Sequence, residues 1–395
     1  EELDVINAKG DDGDDVDKEV YVLERLHKEE GEKDARLALH FDQTVPLARY
    51  VAQHFNDLIF PFKRYQIQRV WRGERPQAGR FREFYQCDID VINVDTLPLH
   101  FDAEIPAIIW EVLSSLPGMN GESIQIRISN RKILIGLLEA LDISDITTAT
   151  RIVDKLEKIG EGEVRHLLKE QVGANDNSCD KIMELAKIKT ADSSFTAKLN
   201  DFDIDSKSFK EGVEELAFVM DHLSHLPQGA VVADLSIVRG LDYYTGTVYE
   251  TVFVDDPGYG SICSGGRYDD LASSYINKSL PGVGISIGFS RLFDRLRNQG
   301  KLPVTASTPA DILVVMPNDD QRSVANETGQ TLRERGYKVE VFHGGKLKRQ
   351  LAYAEKKGIP YVWFPPFDDE GKHEVKNMNT GDQSEADPAK WSKDE

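Results

Sequence analysis

"VWRGERPQAGRFREFYQCDIDVI", residues 70–92, gathers four arginines, Arg72, Arg75, Arg80 and Arg82, around one proline and two glycines. The whole chain carries a formal net charge of -20, so this local excess of positive charge calls for a specific anion. Alternating residues on both sides make the stretch a strand, a loop at GERPQAG and a second strand. Hairpin loops usually have about two to five residues, so a longer one is a hint of a working loop. Along the second strand the two-residue period puts Arg80, Arg82, Phe84, Gln86, Asp88 and Asp90 on one face, with Phe81, Glu83, Tyr85, Cys87, Ile89 and Val91 on the other. Such a face could hold a nucleotide: guanidinium on phosphate, ring on base, carboxylate and amide on a second polar ligand. A salt-bridged edge hairpin, Arg72 with Glu74 and Arg82 with Glu83, accounts for the same residues equally well.

The rest of the chain bounds the choice. With 395 residues, 40% hydrophobic and 29% charged, it has the composition of a soluble globular protein of two or three domains. No run approaches the ~18 apolar residues of a membrane span, and the opening EELDVINAKGDDGDD lacks the apolar segment of a signal peptide. Cys87, Cys179 and Cys263 stand far apart without a CxxC pair, which argues against a disulfide scaffold or zinc site and fits a reducing cytoplasm. KGDDGDDVDKEV, residues 9–20, misses the calcium-loop register and reads as an acidic solvated turn.

In DARLALHFDQTVPLARYVAQHF a strand leads through a polar turn into a helix, and SIQIRIS alternates Ile124, Ile126 and Ile128 as a half-buried strand. Residues 143–228 turn helical: Ile152, Val153, Leu156 and Ile159 fall at helical spacing, and Ser208 with Glu211 forms a capping-box signature. Strands resume at GAVVADLS, TVYETVFV and GVGISIG. After the linker NQGKLPVTASTPA, strands and helices alternate as βαβαβ, a small α/β domain. The tail TGDQSEADPAKWSKDE is polar and carries no pattern. The expected domains are residues 1–142, 143–228, 229–304 and 305–395.

Two more clusters bear on chemistry. VRGLDYYTGTVYE, residues 238–250, sets Arg239 and Asp242 beside a turn followed by Tyr243 and Tyr244; CSGGRYDDL, residues 263–271, is followed by the Gly-rich GVGISIGFSRL with Arg291. The glycines do not fit a dinucleotide fingerprint and no GxxxxGK[ST] loop exists. Each cluster alone admits a packing reading.

In this order, RGERP…GRFREF, RGLDYYTG, SGGRYDDL and the strand ending in SRL resemble the class II aminoacyl-tRNA synthetases, specifically the histidyl-tRNA synthetase family. The first matches class motif 2, the last motif 3, and RGLDYYTGTVYE the histidine-specific motif; the class I signatures HxGH and KMSKS are absent. The resemblance implies an α+β fold: an antiparallel β-sheet catalytic core flanked by helices, a helical insertion, and a C-terminal α/β anticodon-binding domain. It implies that Arg72 holds the ATP α-phosphate with Glu74 near the base and Phe84 stacked on adenine, that Arg80 supports the phosphate end, and that Arg291 binds the γ-phosphate side. Arg239 would neutralise the α-phosphate during attack. Asp42, Thr44 and Gln86 would grip the histidine ammonium, Asp90, Tyr244 and Tyr268 would line the imidazole pocket, where a carboxylate and a hydroxyl can satisfy both ring nitrogens, and Tyr243 would also bind histidine. ATP, Mg²⁺, histidine and tRNA(His) are the implied ligands, and a cytoplasmic homodimer the implied assembly, its motif 1 interface lying mostly upstream of Glu1. Asp42 and Asp90 stand where many relatives carry Glu. Lys346, Lys348, Arg349, Lys356 and Lys357 either meet RNA phosphates or form a solvated helix face. The rival is a non-catalytic relative, the histidine-sensing regulatory subunit of ATP phosphoribosyltransferase, which lacks an anticodon-binding domain.

Overall fold

The computed structural model describes all residues except 4–18, 26, 28–35, 78, 239–242, 274, 303, 305, 317, 367, 369–370 and 394–395. It divides into two units, residues 1–302 and 303–395. The acidic turn expected at 9–20 lies, save its last two residues, outside the described part.

In the first unit β1 (Val22–Leu23) and β2 (Leu37–Ala38) form a short antiparallel pair ahead of α1 (Thr44–Gln53). Two ten-residue strands follow, β3 (Phe62–Trp71) and β4 (Glu83–Ile92), then α2 (His100–Ser115), β5 (Ile124–Asn130) and α3 (Arg131–Ala140). The helical stretch contains α4 (Ile146–Val153), α5 (Leu156–Val172), α6 (Asp176–Ala186), the two-residue β6 (Lys189–Thr190), α7 (Phe195–Asn200) and α8 (Lys207–His222). β7 (Val231–Asp234), β8 (Thr247–Phe253), β9 (Cys263–Tyr268), β10 (Gly282–Gly288) and α9 (Phe289–Asn298) complete the unit. The eight-stranded sheet runs β3-β4-β10-β9-β8-β5-β7-β6, antiparallel at every step except β5–β7, which is parallel.

Three local readings change. The strands stop at Trp71 and resume at Glu83, so the arginine loop spans residues 72–82, not GERPQAG alone, and Arg80 and Arg82 stand on the loop rather than on the strand face. Arg72 N–H donates to Arg82 O at 3.0 Å, which closes the wider loop. The cap of α8 is Ser206, whose Oγ accepts from Phe209 N–H at 3.3 Å; Ser208 is already helical. β5 is buried on both faces rather than one, because helices and sheet share one hydrophobic cluster that runs from Ile126 and Ile128 through Leu137, Phe209 and Leu216.

In the second unit β11 (Ile312–Val314), α10 (Arg322–Glu334), β12 (Val339–Val341), α11 (Leu347–Lys357) and β13 (Tyr361–Phe364) make the βαβαβ pattern, with strand order β12-β11-β13 and all pairs parallel. The sheet then continues antiparallel through β14 (Glu374–Asn377) and β15 (Gln383–Glu385), and the Trp391 ring packs on Tyr361 at 5.0 Å and Trp363 at 5.5 Å. The tail therefore has structure: it covers a sheet face with one tryptophan, a signal periodicity does not register. Among the described residues no helix is long and apolar enough to cross a membrane.

Candidate active site

The antiparallel pairing of β4 with β10 sets Asp90 opposite Gly284 and Asp88 opposite Ser286. Beside it lies a cavity with about 210 Å³ of empty space, mouth included, lined by Thr44, Asp88, Asp90, Tyr244, Tyr268 and Ser286. A Cβ on Gly284 would stand 2.1 Å from Asp90 Oδ1, so glycine at this position is what lets the carboxylate lie against β10.

Asp90 is fully engaged. Its Oδ2 lies 2.8 Å from Arg64 Nη2, and its Oδ1 accepts from the Tyr268 hydroxyl at 3.0 Å. Arg64 is fixed in turn by Gln66 Oε1 at 2.7 Å and the carbonyl of Gln43 at 3.2 Å. Asp88 differs: its Oδ2 is 4.0 Å from Arg64 and its Oδ1 has no hydrogen-bond partner among the described residues, although the residue is only 4% exposed. Burial pushes both carboxyls up. Asp88 reaches about 7, with the charge of Asp90 adding to burial and a hydrogen bond from the Ser286 hydroxyl and the Arg64 charge opposing it; at Asp90, Arg64 and the Tyr268 hydroxyl oppose the rise.

Asp42 sits at the entrance to α1, where Oδ1 accepts from Val45 N–H at 3.2 Å and Oδ2 from the Tyr243 hydroxyl at 3.2 Å. Burial raises its pKa, and the helix N–H groups and Arg72 counter that. Burial also holds Tyr243, Tyr244 and Tyr268 well up from the ordinary phenol value, so all three are neutral hydrogen-bond donors. Gln86 donates to Ser286 Oγ at 2.9 Å, and its Oε1 is buried without a partner among the described residues.

Arginines gather beyond Gln86. The Arg72 guanidinium stands between the Phe41 ring at 4.4 Å and the Phe84 ring at 5.4 Å, with Nε donating to Phe41 O at 3.1 Å. Among the described residues no carboxylate pairs with it. The edge-hairpin alternative does not form: Glu74 pairs with Arg80 at 2.8 Å, and Glu83 with Arg69 at 3.0 Å. Arg291 lies over the Tyr259 ring at 4.8 Å with its Nε buried and without a hydrogen-bond partner among the described residues; burial lowers its pKa and the nearby Arg80 charge adds to that. An arginine stays charged regardless, so the shift marks a cation held in a costly place. Arg239 falls outside the described residues.

One end of the site thus suits a small ring bearing hydrogen-bonding nitrogens, and the other a polyanion with an aromatic base. The model of the family described as "Histidyl-tRNA synthetase" matches residues 20–292, and that of the "Anticodon binding domain" matches 311–393. The "Histidine--tRNA ligase" of Thermobifida fusca is 55% identical over 394 residues, 99% of this chain and 88% of the relative. The chain belongs to the histidyl-tRNA synthetase family. The crystal structure of histidyl-tRNA synthetase from Nostoc sp. superposes with a TM-score of 0.77 at 40% identity, covering 98% of this chain and 87% of that one. A Bacillus halodurans structure described as an ATP phosphoribosyltransferase regulatory subunit/histidyl-tRNA synthetase superposes at a TM-score of 0.66, but at 19% identity over 86% of this chain and 82% of that one it shares the fold alone. The regulatory-subunit alternative required a chain without the anticodon-binding domain, and this histidyl-tRNA synthetase family member carries one.

Sequence reasoning gave no role to Arg64, Asp88, Gly284 or Ser286. Asp88 was legible as a member of the polar face of β4. Arg64 becomes visible only from the cross-strand register Arg64↔Asp90, which a single strand's periodicity does not supply. The Arg267–Asp102 pair is a further hidden support. Asp102 is 0% exposed and Arg267 Nη2 contacts its Oδ2 at 2.5 Å, anchoring the residue next to Tyr268.

Proposed function

We propose that the protein joins histidine to tRNA(His) in two steps on this site. Family membership makes it an ATP-dependent aminoacyl-tRNA ligase, a histidine–tRNA ligase. The observation that carries the site assignment is the face of β4, which presents Phe84, stacked on Arg72, then Gln86, then the carboxylates of the cavity in succession.

In the first step the histidine carboxylate attacks the α-phosphorus of ATP in line, and pyrophosphate leaves. In the second the 3′-terminal ribose hydroxyl of the tRNA attacks the adenylate carbonyl, and AMP leaves. Negative charge grows on phosphate oxygens in the first step, and cations held in advance lower its barrier without reorganising. Arg72 and Arg239 take the α-phosphate, Arg291 the γ-phosphate side, and Arg80, held by Glu74, the phosphate end; Phe84 takes the adenine. Asp42, Thr44 and Gln86 hold the α-ammonium, and Asp90 with Tyr243, Tyr244 and Tyr268 forms the amino-acid pocket. Among the described residues no group of three His, Cys, Asp or Glu is placed to hold a metal. Mg²⁺, where bound, would take most of its ligands from substrate oxygens and water and would help offset the charge that grows on the phosphates.

Residues 143–228 form the insertion that meets the acceptor stem, and residues 305–395 the anticodon-binding domain. Lys348 and Arg349 on α11 are candidates for RNA phosphates; Lys357 is already paired with Glu340. A cytoplasmic homodimer completes the proposal. The exposed Tyr65 (81%) and Ile67 (64%) on the edge strand β3 support it, since such an apolar edge is normally covered. Charging of tRNA with labelled histidine, tested against other amino acids, checks the reading. Transfer of histidine alone is expected; binding of histidine without transfer, or transfer of another amino acid, would contradict the reading.

A further inference from the structure

We propose that Asp88 is a specificity-determining residue of the histidine site: its free carboxyl oxygen takes the second nitrogen of the substrate's imidazole, while the Asp90 side of the cavity takes the first. The inference rests on the histidine-activating reading above and names a contact that reading leaves out.

A buried polar atom without a partner is rare in a folded protein and costs free energy. Asp88 Oδ1 is such an atom, and Asp88 lines the cavity. The Ser286 hydroxyl bonds the Asp88 carboxyl, yet Oδ1 stays without a partner among the described residues, and the nearby cation does not supply the missing bond. Arg64 is already spent on Asp90, Gln66 and the Gln43 carbonyl, and it stays 4.0 Å from Asp88 Oδ2. Asp90, by contrast, has both oxygens occupied. Two carboxylates two residues apart on β4 thus offer the cavity one engaged acceptor and one open one. A ring with two nitrogens, each able to donate or accept, matches that pair.

The proton count follows from the groups that face Asp88. On its own strand these are Asp90 and the Cys87 thiol. Arg64 faces it from β3, Asp42 from the entrance to α1, the Ser286 hydroxyl from β10, and Cys263 and Tyr268 from β9, with Tyr244 across the cavity. Together with burial they leave the free Asp88 carboxyl near 7. Free imidazole titrates near 6.5. With the neutral ring's one N–H given to the Asp90 side, the facing nitrogen is bare, so the complex needs one further proton between it and Asp88, brought either by an Asp88 carboxyl or by an imidazolium. Above neutral pH neither does, so binding must take up a proton. An Asn at this position would instead donate a fixed N–H to the unprotonated nitrogen.

The test is histidine-dependent pyrophosphate exchange from pH 6 to 8.5 on the wild type, Asp88→Asn and Asp88→Ala, with KM for histidine and for ATP read separately. The wild-type KM for histidine is expected to rise by up to about tenfold per pH unit above neutrality. In Asp88→Asn that rise is less than about twofold, with exchange retained. In Asp88→Ala the KM for histidine at pH 7 rises by roughly tenfold or more while the KM for ATP holds. Should Asp88→Ala not fold, the slope of Asp88→Asn decides alone. A wild-type slope in Asp88→Asn, an unchanged histidine KM in Asp88→Ala, or a joint rise of both KM values, the mark of a structural carboxylate only, overturns the proposal. Absence of histidine-dependent exchange in the wild type would instead remove the function on which it rests.

Discussion

Arg64 Nη2 lies 2.8 Å from Asp90 Oδ2, directly across the β3–β4 ladder, with side chains only 8% and 4% exposed. Such a pair pays heavily in desolvation and persists because each partner is also hydrogen-bonded, Arg64 by Gln66 and Asp90 by the Tyr268 hydroxyl. It fixes one carboxylate of the cavity and leaves Oδ1 of its neighbour Asp88 without a partner among the described residues.

Removing the cation alone, as in Arg64→Met, strands a buried carboxylate. The expected loss is about 3–5 kcal/mol in a denaturant titration. It should be smaller at pH 5 than at pH 8, because the stranded Asp90 can then take up a proton. An equal loss at both pH values would mean that packing, not charge, dominates at this position.

Gly284→Ala would drive a methyl into Asp90 Oδ1. Overpacking of this kind costs about 1–3 kcal/mol, and the displaced carboxylate should raise the KM for histidine well above any change in the KM for ATP. Unchanged histidine kinetics in a folded Gly284→Ala variant would place the amino acid elsewhere.

Arg72 and Arg291 should separate in their effects. Arg72→Lys keeps the charge but loses the planar stack between Phe41 and Phe84 and the Nε bond to Phe41 O, so the rate of adenylate formation is expected to fall by roughly 10²–10³. Arg291→Ala removes a buried, unpartnered Nε and a like-charge neighbour of Arg80. Its KM for ATP should rise with thermal stability unchanged or higher. A lower melting temperature would assign Arg291 a structural role.

Stability should also depend on pH through the buried carboxyls. Burial raises Asp42, Asp88 and Asp90 above their unfolded values, Asp88 to about 7. The folded state therefore holds more protons than the unfolded chain in that window, and the contribution of these groups declines as pH rises from about 4 to 7. Asp88→Asn removes one such term. Relative to the wild type the variant should gain roughly 1–3 kcal/mol between pH 5 and pH 8 in urea titrations at each pH. A constant difference across that range would refute the raised Asp88.

Much of this site was legible because its groups lie along strands whose period is two. Phe84, Gln86, Asp88 and Asp90 share a face for that reason alone, and the Gly-rich stretch ending in Arg291 becomes a strand that runs into a helix as written. What was not legible depends on register or on contacts distant in sequence. Arg64 meets Asp90 through strand pairing, Arg267 meets Asp102 across 165 positions, and Gly284 matters only because β10 lies on β4. The cap of α8 was missed by two residues, since the capping-box rule favours Ser208, with Glu211 three positions on, whereas the residue with the extended capping backbone is Ser206, φ -117. The loop was read too short because its ends are polar and unpaired in pattern, although Arg72 and Arg82 are joined by a backbone hydrogen bond.

The measurement that bears most directly on the central claim is exchange of labelled pyrophosphate into ATP, driven by each amino acid in turn, with Arg239→Ala alongside the wild type. Exchange supported by histidine alone and abolished in the variant is the result this account predicts. Exchange with no amino acid, or with one other than histidine, would contradict it.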